Sequence, residues 1–238
     1  MHDFLKTAAK TGRGTRWPWL ANTLTAVGVM LAGLLTVAAP AQAADLPWGP
    51  YTCASGYVWR EAVPGDLVCV SPQTRSDTQT ENALGPSRRE PNGFCKPGFV
   101  WRETRSSDLV CVVPTSRDRA YSDNANAPWR LVDPGATPRG GVSVTTTNHQ
   151  LGGYLYATGS GLSPNRPVRF YAVRINTVGP YSLGSLTANS SGAISGWQYV
   201  ADIRCRFKQT QPAVIVVLDQ GSGVVTTAGT TEAFRRCG

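Results

Sequence analysis

Downstream of Val142 the chain gathers β-branched and aromatic residues into seven short runs, at 142–147, 154–158, 168–173, 183–188, 194–200, 213–218 and 224–227. Val168, Phe170 and Ala172 alternate onto one face, and Gly159-Ser-Gly161, Ser163-Pro-Asn165, Asn189-Ser-Ser-Gly192 and Gly221-Ser-Gly223 supply turns between runs. Seven short strands punctuated in this way predict a β-sandwich over 142–238. The run Ala213-Val-Ile-Val-Val-Leu218 lacks polar alternation, which predicts a central strand covered on both sides.

Residues 48–131 carry a second pattern, and it occurs twice. Cys53-Ala-Ser-Gly-Tyr-Val-Trp-Arg-Glu61 returns forty-two residues later as Cys95-Lys-Pro-Gly-Phe-Val-Trp-Arg-Glu103, and Asp66-Leu-Val-Cys-Val70 returns as Asp108-Leu-Val-Cys-Val112. The copies lie near 50–88 and 92–130. In each, two runs rich in β-branched and aromatic residues flank a turn, Val63-Pro-Gly-Asp66 in the first, and predict a β-hairpin. Ser71-Pro72 then offers an N-cap with proline at the first helical position, and Gly85-Pro86 stops the helix after Leu84. In the second copy Val113 replaces the capping serine. Asp133-Pro-Gly-Ala-Thr-Pro-Arg-Gly-Gly141 has the composition of a linker, placed at 132–141.

A unit of about forty residues cannot build a sufficient core alone, so each copy is expected to carry its own bridge and to pack against the other. The cysteines fall as Cys53 and Cys69, Cys95 and Cys111, Cys205 and Cys237, and closure within each unit favours those three pairs among the fifteen arrangements six cysteines allow. On this reading Cys53→Ser unfolds the first unit and leaves the Cys205–Cys237 part folded. Trp59 and Trp101 are either rings packed over the bridges, the favoured reading, or exposed stacking platforms. Arg60 with Glu61, and Arg102 with Glu103, are strand neighbours on opposite faces; their partners are expected in Asp66, Asp108 or the helix.

The N-terminus sets these parts in context. Lys6, Lys10, Arg13 and Arg16 precede an apolar run from Leu20 to Ala38 and then Ala41-Gln-Ala43, the arrangement of a secretory signal peptide over 1–43, with no membrane span after its cleavage. An even cysteine count fits export to an oxidising compartment. The whole chain has formal net charge +8, and without its first 43 residues nineteen basic and fourteen acidic residues leave +5. That excess is scattered, so a solvated surface is the default; affinity for an anionic envelope ranks second and nucleic acid third.

Gly159-Ser-Gly-Leu-Ser-Pro-Asn165, followed later by Leu186-Thr-Ala-Asn-Ser-Ser-Gly192, resembles bacterial extracellular immunoglobulin-like domains over residues 142–236. The pattern Cys-x-x-Gly-[Tyr/Phe]-Val-Trp-Arg-Glu with a following Val-Cys-Val-x-Pro resembles repeats of secreted actinobacterial proteins over about residues 50–130. The resemblances imply a mainly β chain: two small disulfide-stapled β-hairpin plus helix repeats followed by an immunoglobulin-like β-sandwich. The repeat family brings no established activity and no functional residues. In architecture the sandwich is also similar to the enediyne apoproteins, which hold a small molecule in a cleft, although it offers one candidate bridge where they have two.

Catalytic constellations are not legible. His149, the one histidine beyond the leader, sits in Thr-Asn-His-Gln at a predicted turn; Gly-x-Ser-x-Gly, Cys-x-x-Cys and phosphate-cradling loops do not occur, and no thiol is left over. No metal or cofactor is expected. The reading is a secreted or cell-wall-associated, non-catalytic binding protein, with a cell-wall glycan or an envelope protein as partner. Its candidate contacts are Trp59 and Trp101 if exposed, and otherwise the loops around Tyr181, Trp197 and Tyr199. A small-molecule carrier using a cleft in the sandwich, and a polysaccharide-active hydrolase built on two facing carboxylates, are the alternatives.

Overall fold

A computed structural model describes residues 46–149, 152–174, 179–200 and 213–231. The expected leader and the expected Cys205–Cys237 pair lie outside them. Among the described residues no helix is long and apolar enough to cross a membrane. The described residues are mainly β, with four small sheets, two short helices and two disulfides among them.

The first hairpin pairs β1 (Val58–Trp59) with β2 (Cys69–Val70), placing Trp59 opposite Cys69, and the bridge Cys53–Cys69 closes it. Helix α1 (Pro72–Leu84) follows at once. Its N-cap is Ser71, whose side chain accepts from Thr74 N at 3.1 Å. The second hairpin pairs β3 (Val100–Trp101) with β4 (Cys111–Val112), is closed by Cys95–Cys111, and leads into α2 (Pro114–Asn126), whose Val113 start makes no side-chain cap.

Arg60 and Glu61 were expected on one strand, and here the structure differs. The strand ends at Trp59, and Glu61 and Glu103 both adopt φ 56°, in the left-handed region. The cause is Asp66: its carboxylate accepts from Ala62 N at 3.0 Å and from Arg60 Nε at 2.7 Å, which draws the chain out of extension. Asp108 does the same with Thr104 N at 3.2 Å and Arg102 Nε at 2.8 Å.

Both arginines are fully buried, and each also reaches the other segment's helix. Arg60 donates to Asn124 Oδ1 at 2.9 Å and to Ala120 O at 3.4 Å in α2; Arg102 donates to Asn82 Oδ1 at 2.8 Å and to Thr78 O at 3.4 Å in α1. The exchange is reciprocal, the pattern a two-fold axis generates. Burial pushes the Asp108 carboxyl up, but the hydrogen bonds and charge of Arg102, with Thr104, outweigh it and hold the group below the usual carboxylate range.

All seven expected strands are present: β5 (Val142–His149), β6 (Gly152–Gly159), β7 (Pro167–Val173), β8 (Tyr181–Thr187), β9 (Ile194–Val200), β10 (Ala213–Asp219) and β11 (Val224–Thr231). His149, expected in a turn, is the last residue of β5 and pairs with Gly152. The strands form a three-stranded sheet, β5-β6-β9, and a four-stranded sheet, β11-β10-β7-β8. Leu155 and Ala157 from the first and Phe170, Leu183, Ile215 and Val217 from the second share one apolar cluster.

The opposite face of the four-stranded sheet is covered as well. Tyr171, Val173, Val214, Val216, Leu218 and Val225 pack with Val68, Cys69 and Val70 of the first hairpin and with Ala127 and Leu131 after α2. Every residue of β10 is buried, as its unbroken apolar run requires. The stretch expected as a linker lies along β11: Thr227 N donates to Pro138 O at 3.0 Å and Gly140 N to Thr227 O at 3.1 Å.

Candidate functional site

The three-stranded sheet buries one face and presents the other. On β6, Leu155 and Ala157 point into the core while Tyr154 and Tyr156 point away; on β9, Ile194 and Val200 point in while Ser195, Trp197 and Tyr199 point out. Pairing places Tyr154 opposite Tyr199, Tyr156 opposite Trp197 and Thr158 opposite Ser195. On the other side of β6, Thr147, Thr145 and Ser143 stand opposite Tyr154, Tyr156 and Thr158. The outward positions form a grid of three strands by three rows, with rows about 7 Å apart.

Its chemistry is uniform. β5 contributes Ser143, Thr145 and Thr147, β6 and β9 contribute three tyrosines and Trp197 together with Thr158 and Ser195, and no position is charged. Trp197 is 58% exposed, Tyr199 50% and Tyr154 39%, large values for rings with so much apolar area. The rings brace one another: Tyr156 and Trp197 centroids lie 4.7 Å apart, Tyr154 and Tyr199 5.5 Å, and Tyr154 and Trp197 6.5 Å. Tyr156 Oη and Ser195 Oγ are hydrogen-bonded at 3.0 Å. Gln198, between Trp197 and Tyr199 on the opposite face of β9, is admitted by Gly184 at φ 112° on β8: a Cβ there would lie 2.4 Å from Gln198 Cδ.

The candidate residues are thus divided by the fold. Trp197 and Tyr199 stand together on this face, on a strand rather than a loop. Tyr181 also lies on a strand, but on β8 of the other sheet, half-buried against the inter-sheet cluster. Trp59 and Trp101 are half-buried on their hairpins. Trp59 donates from Nε1 to Tyr51 O at 2.8 Å and packs on the shared cluster; Trp101 stacks on Phe94 at 6.2 Å, and its Nε1 is buried without a hydrogen-bond partner. Trp59 also borders a cleft of about 390 Å³ with Tyr57, the highly exposed Trp48, and the Glu61–Arg75 ion pair. Sequence reasoning missed Tyr154 and Tyr156, although Tyr154-Leu-Tyr156 alternates with the same period as Trp197-Gln-Tyr199.

The buried carboxylates are committed elsewhere. Asp66 and Asp108 hold Arg60 and Arg102, Glu81 lies 3.5 Å from Arg102, and Asp123 lies 2.7 Å from Arg130. Asp219 accepts from Ser163 N at 3.0 Å, from Gly221 N at 3.1 Å and from Ser222 Oγ at 2.8 Å. Among the described residues no group of three or more His, Cys, Asp or Glu side chains could hold a metal ion.

No known protein family matches the chain, and neither a curated protein nor a solved structure matches it.

Proposed function

We propose that this is a secreted, non-catalytic protein that binds an uncharged glycan strand on the outer face of the β5-β6-β9 sheet. The observation that carries the reading is the uncharged grid of four aromatic rings bordered by serine and threonine hydroxyls. Aromatic faces stack on the C–H faces of sugar rings, and the hydroxyls supply neutral donors and acceptors for sugar hydroxyls. A nucleic acid or anionic polymer would call for Lys or Arg among these positions, and none is there. The commitment of the buried carboxylates to arginines and backbone amides supports binding over hydrolysis. In this reading residues 1–43 are a signal peptide, 48–131 a duplicated hairpin-helix module, and 142–238 an immunoglobulin-like sandwich displaying the face toward the cell wall.

The test is retention of the oxidised mature protein on insoluble cell wall and neutral polysaccharides. Trp197→Ala should weaken binding at least tenfold, since stacked aromatic anchors dominate such surfaces, while its unfolding transition stays close to wild type because Trp197 is largely exposed. Wild-type protein that binds none of these glycans, or a folded Trp197→Ala protein that binds as well as wild type, would end the proposal. A small-molecule carrier is the second reading, but with its cleft on the first hairpin rather than in the sandwich: about 390 Å³ beside Trp48, Tyr57 and Trp59, the size of a ligand pocket.

A further inference from the structure

A second surface, independent of the glycan face, emerges from comparing the two hairpin-helix segments. At an offset of forty-two residues Gly65, Asp66, Leu67 and Val68 correspond to Ser107, Asp108, Leu109 and Val110. Asn124 and Asn82, which the reciprocal arginine contacts bring beside these turns, correspond likewise. Each segment therefore builds one groove from its own hairpin and the other's helix.

On the first segment the groove is filled from within the chain. The 221–224 turn between β10 and β11 sits in it, leaving only about 120 Å³ among Gly65, Leu67, Val68 and Arg105 on one side and Ser222, Gly223 and Val224 on the other. The fit is tightest at Gly223, φ 71°, where a Cβ would lie 2.6 Å from Val68 Cγ2 and 2.7 Å from Asn124 Oδ1. Only a glycine can occupy that point.

On the second segment the corresponding walls, Ser107, Leu109, Val110 and Asn82, enclose an open cleft of about 960 Å³. Leu109 is 42% exposed there. The rim has also changed character: Arg89 stands where Leu131 stands under the sheet, and Lys96 joins it, against the acid Glu90; Asp108, the other acid of the lining, is buried and neutralised by Arg102. Arg89 donates to Leu109 O at 2.5 Å and Lys96 to Ser87 O at 2.9 Å, which leaves both cations further donors.

We infer that this cleft docks an acidic, glycine-bearing β-hairpin turn of a partner protein, seated as the 221–224 turn is seated on the first segment. The filled groove specifies the shape of the occupant, and the basic rim specifies its charge. A second copy of this chain does not qualify as partner, because its own turn is already seated.

The experiment uses the isotope-labelled, oxidised full chain and a disulfide-cyclised hairpin peptide carrying the 217–226 sequence. Binding should shift the amide signals of Lys96, Leu109 and Val110 saturably. A Gly223→Val peptide should bind at least tenfold more weakly, as should the Leu109→Glu and Lys96→Glu proteins. Lys96 is exposed, so its variant keeps the test valid if Leu109→Glu disturbs the hairpin. Absence of shifts, shifts confined to Val68 and the sheet, or equal binding by the Gly223→Val peptide would overturn the inference. None of these outcomes bears on the glycan face.

Discussion

Asp66 and Asp108 decide the conformation of more chain than their own residues. Each takes two arginine nitrogens and a backbone amide four residues upstream, and each thereby ends a strand and fixes a glutamate in the left-handed region. For Asp108 the consequence is measurable. Its carboxyl is held below the usual range, so the folded state binds that proton less readily than the unfolded chain. The stabilisation is complete above the ordinary value of about 4 and is lost as pH falls through the lower folded value. Urea titrations between about pH 5 and 2 should show wild-type stability falling with acid, and Asp108→Asn should remove part of that slope. At neutral pH the same variant leaves buried Arg102 with Glu81, 3.5 Å away, as its remaining acid, so the loss should fall below the ~3–5 kcal/mol of a fully unpaired buried charge. The sequence offered Asp66, Asp108 or the helix as partners of the two arginines, and the structure pairs each arginine with the aspartate of its own hairpin. That the Arg102 guanidinium also reads Asn82, twenty residues away on the other segment's helix, was not legible, because no local pattern records a contact between segments.

Helix α1 was legible to the residue, because Ser71, Pro72 and Pro86 each act locally on the backbone; Gly85 itself stays helical, at φ −50° and ψ −47°, and leads into a 3-10 turn. Helix α2 shares its length and its proline but has Val113 at the N-cap, 41% exposed and without a side-chain cap. Val113→Ser should supply the missing acceptor to an amide of the first turn and raise stability by about 1 kcal/mol in urea unfolding; no gain would mean that the first turn is already satisfied by water. The seven strands were legible for the same reason as α1, since alternation and turn residues are short-range signals. Sheet membership was not. Alternation places Tyr154 with Tyr156, and Trp197 with Tyr199, on common faces, but only the β6-β9 pairing joins the two pairs into one surface, and that pairing spans some forty residues.

Across the whole molecule, the run Ala213–Leu218 announced a strand covered twice, and the cover came from an unexpected source. One side is the partner sheet; the other is the first hairpin, through Val68, Cys69 and Val70. Composition at 132–141 pointed to separable parts, but buried apolar area shared between them couples their unfolding. Cys53→Ser should therefore lower a single transition by about 2–5 kcal/mol, with near- and far-ultraviolet circular dichroism changing together. Two well-separated transitions would restore the independence that the linker composition suggested. The reciprocal arginines add a direction in time. A chain that emerges from its N-terminus makes α1 before the second hairpin, so Arg102 finds Asn82 already waiting, whereas Arg60 must stay open until Asn124, 64 residues downstream, has arrived. The first hairpin's strand pairing, disulfide and Arg60–Asp66 pair are local, so it is the Arg60–Asn124 contact alone that forms last, and the sheet face that rests on this hairpin can be sealed only after α2 is made.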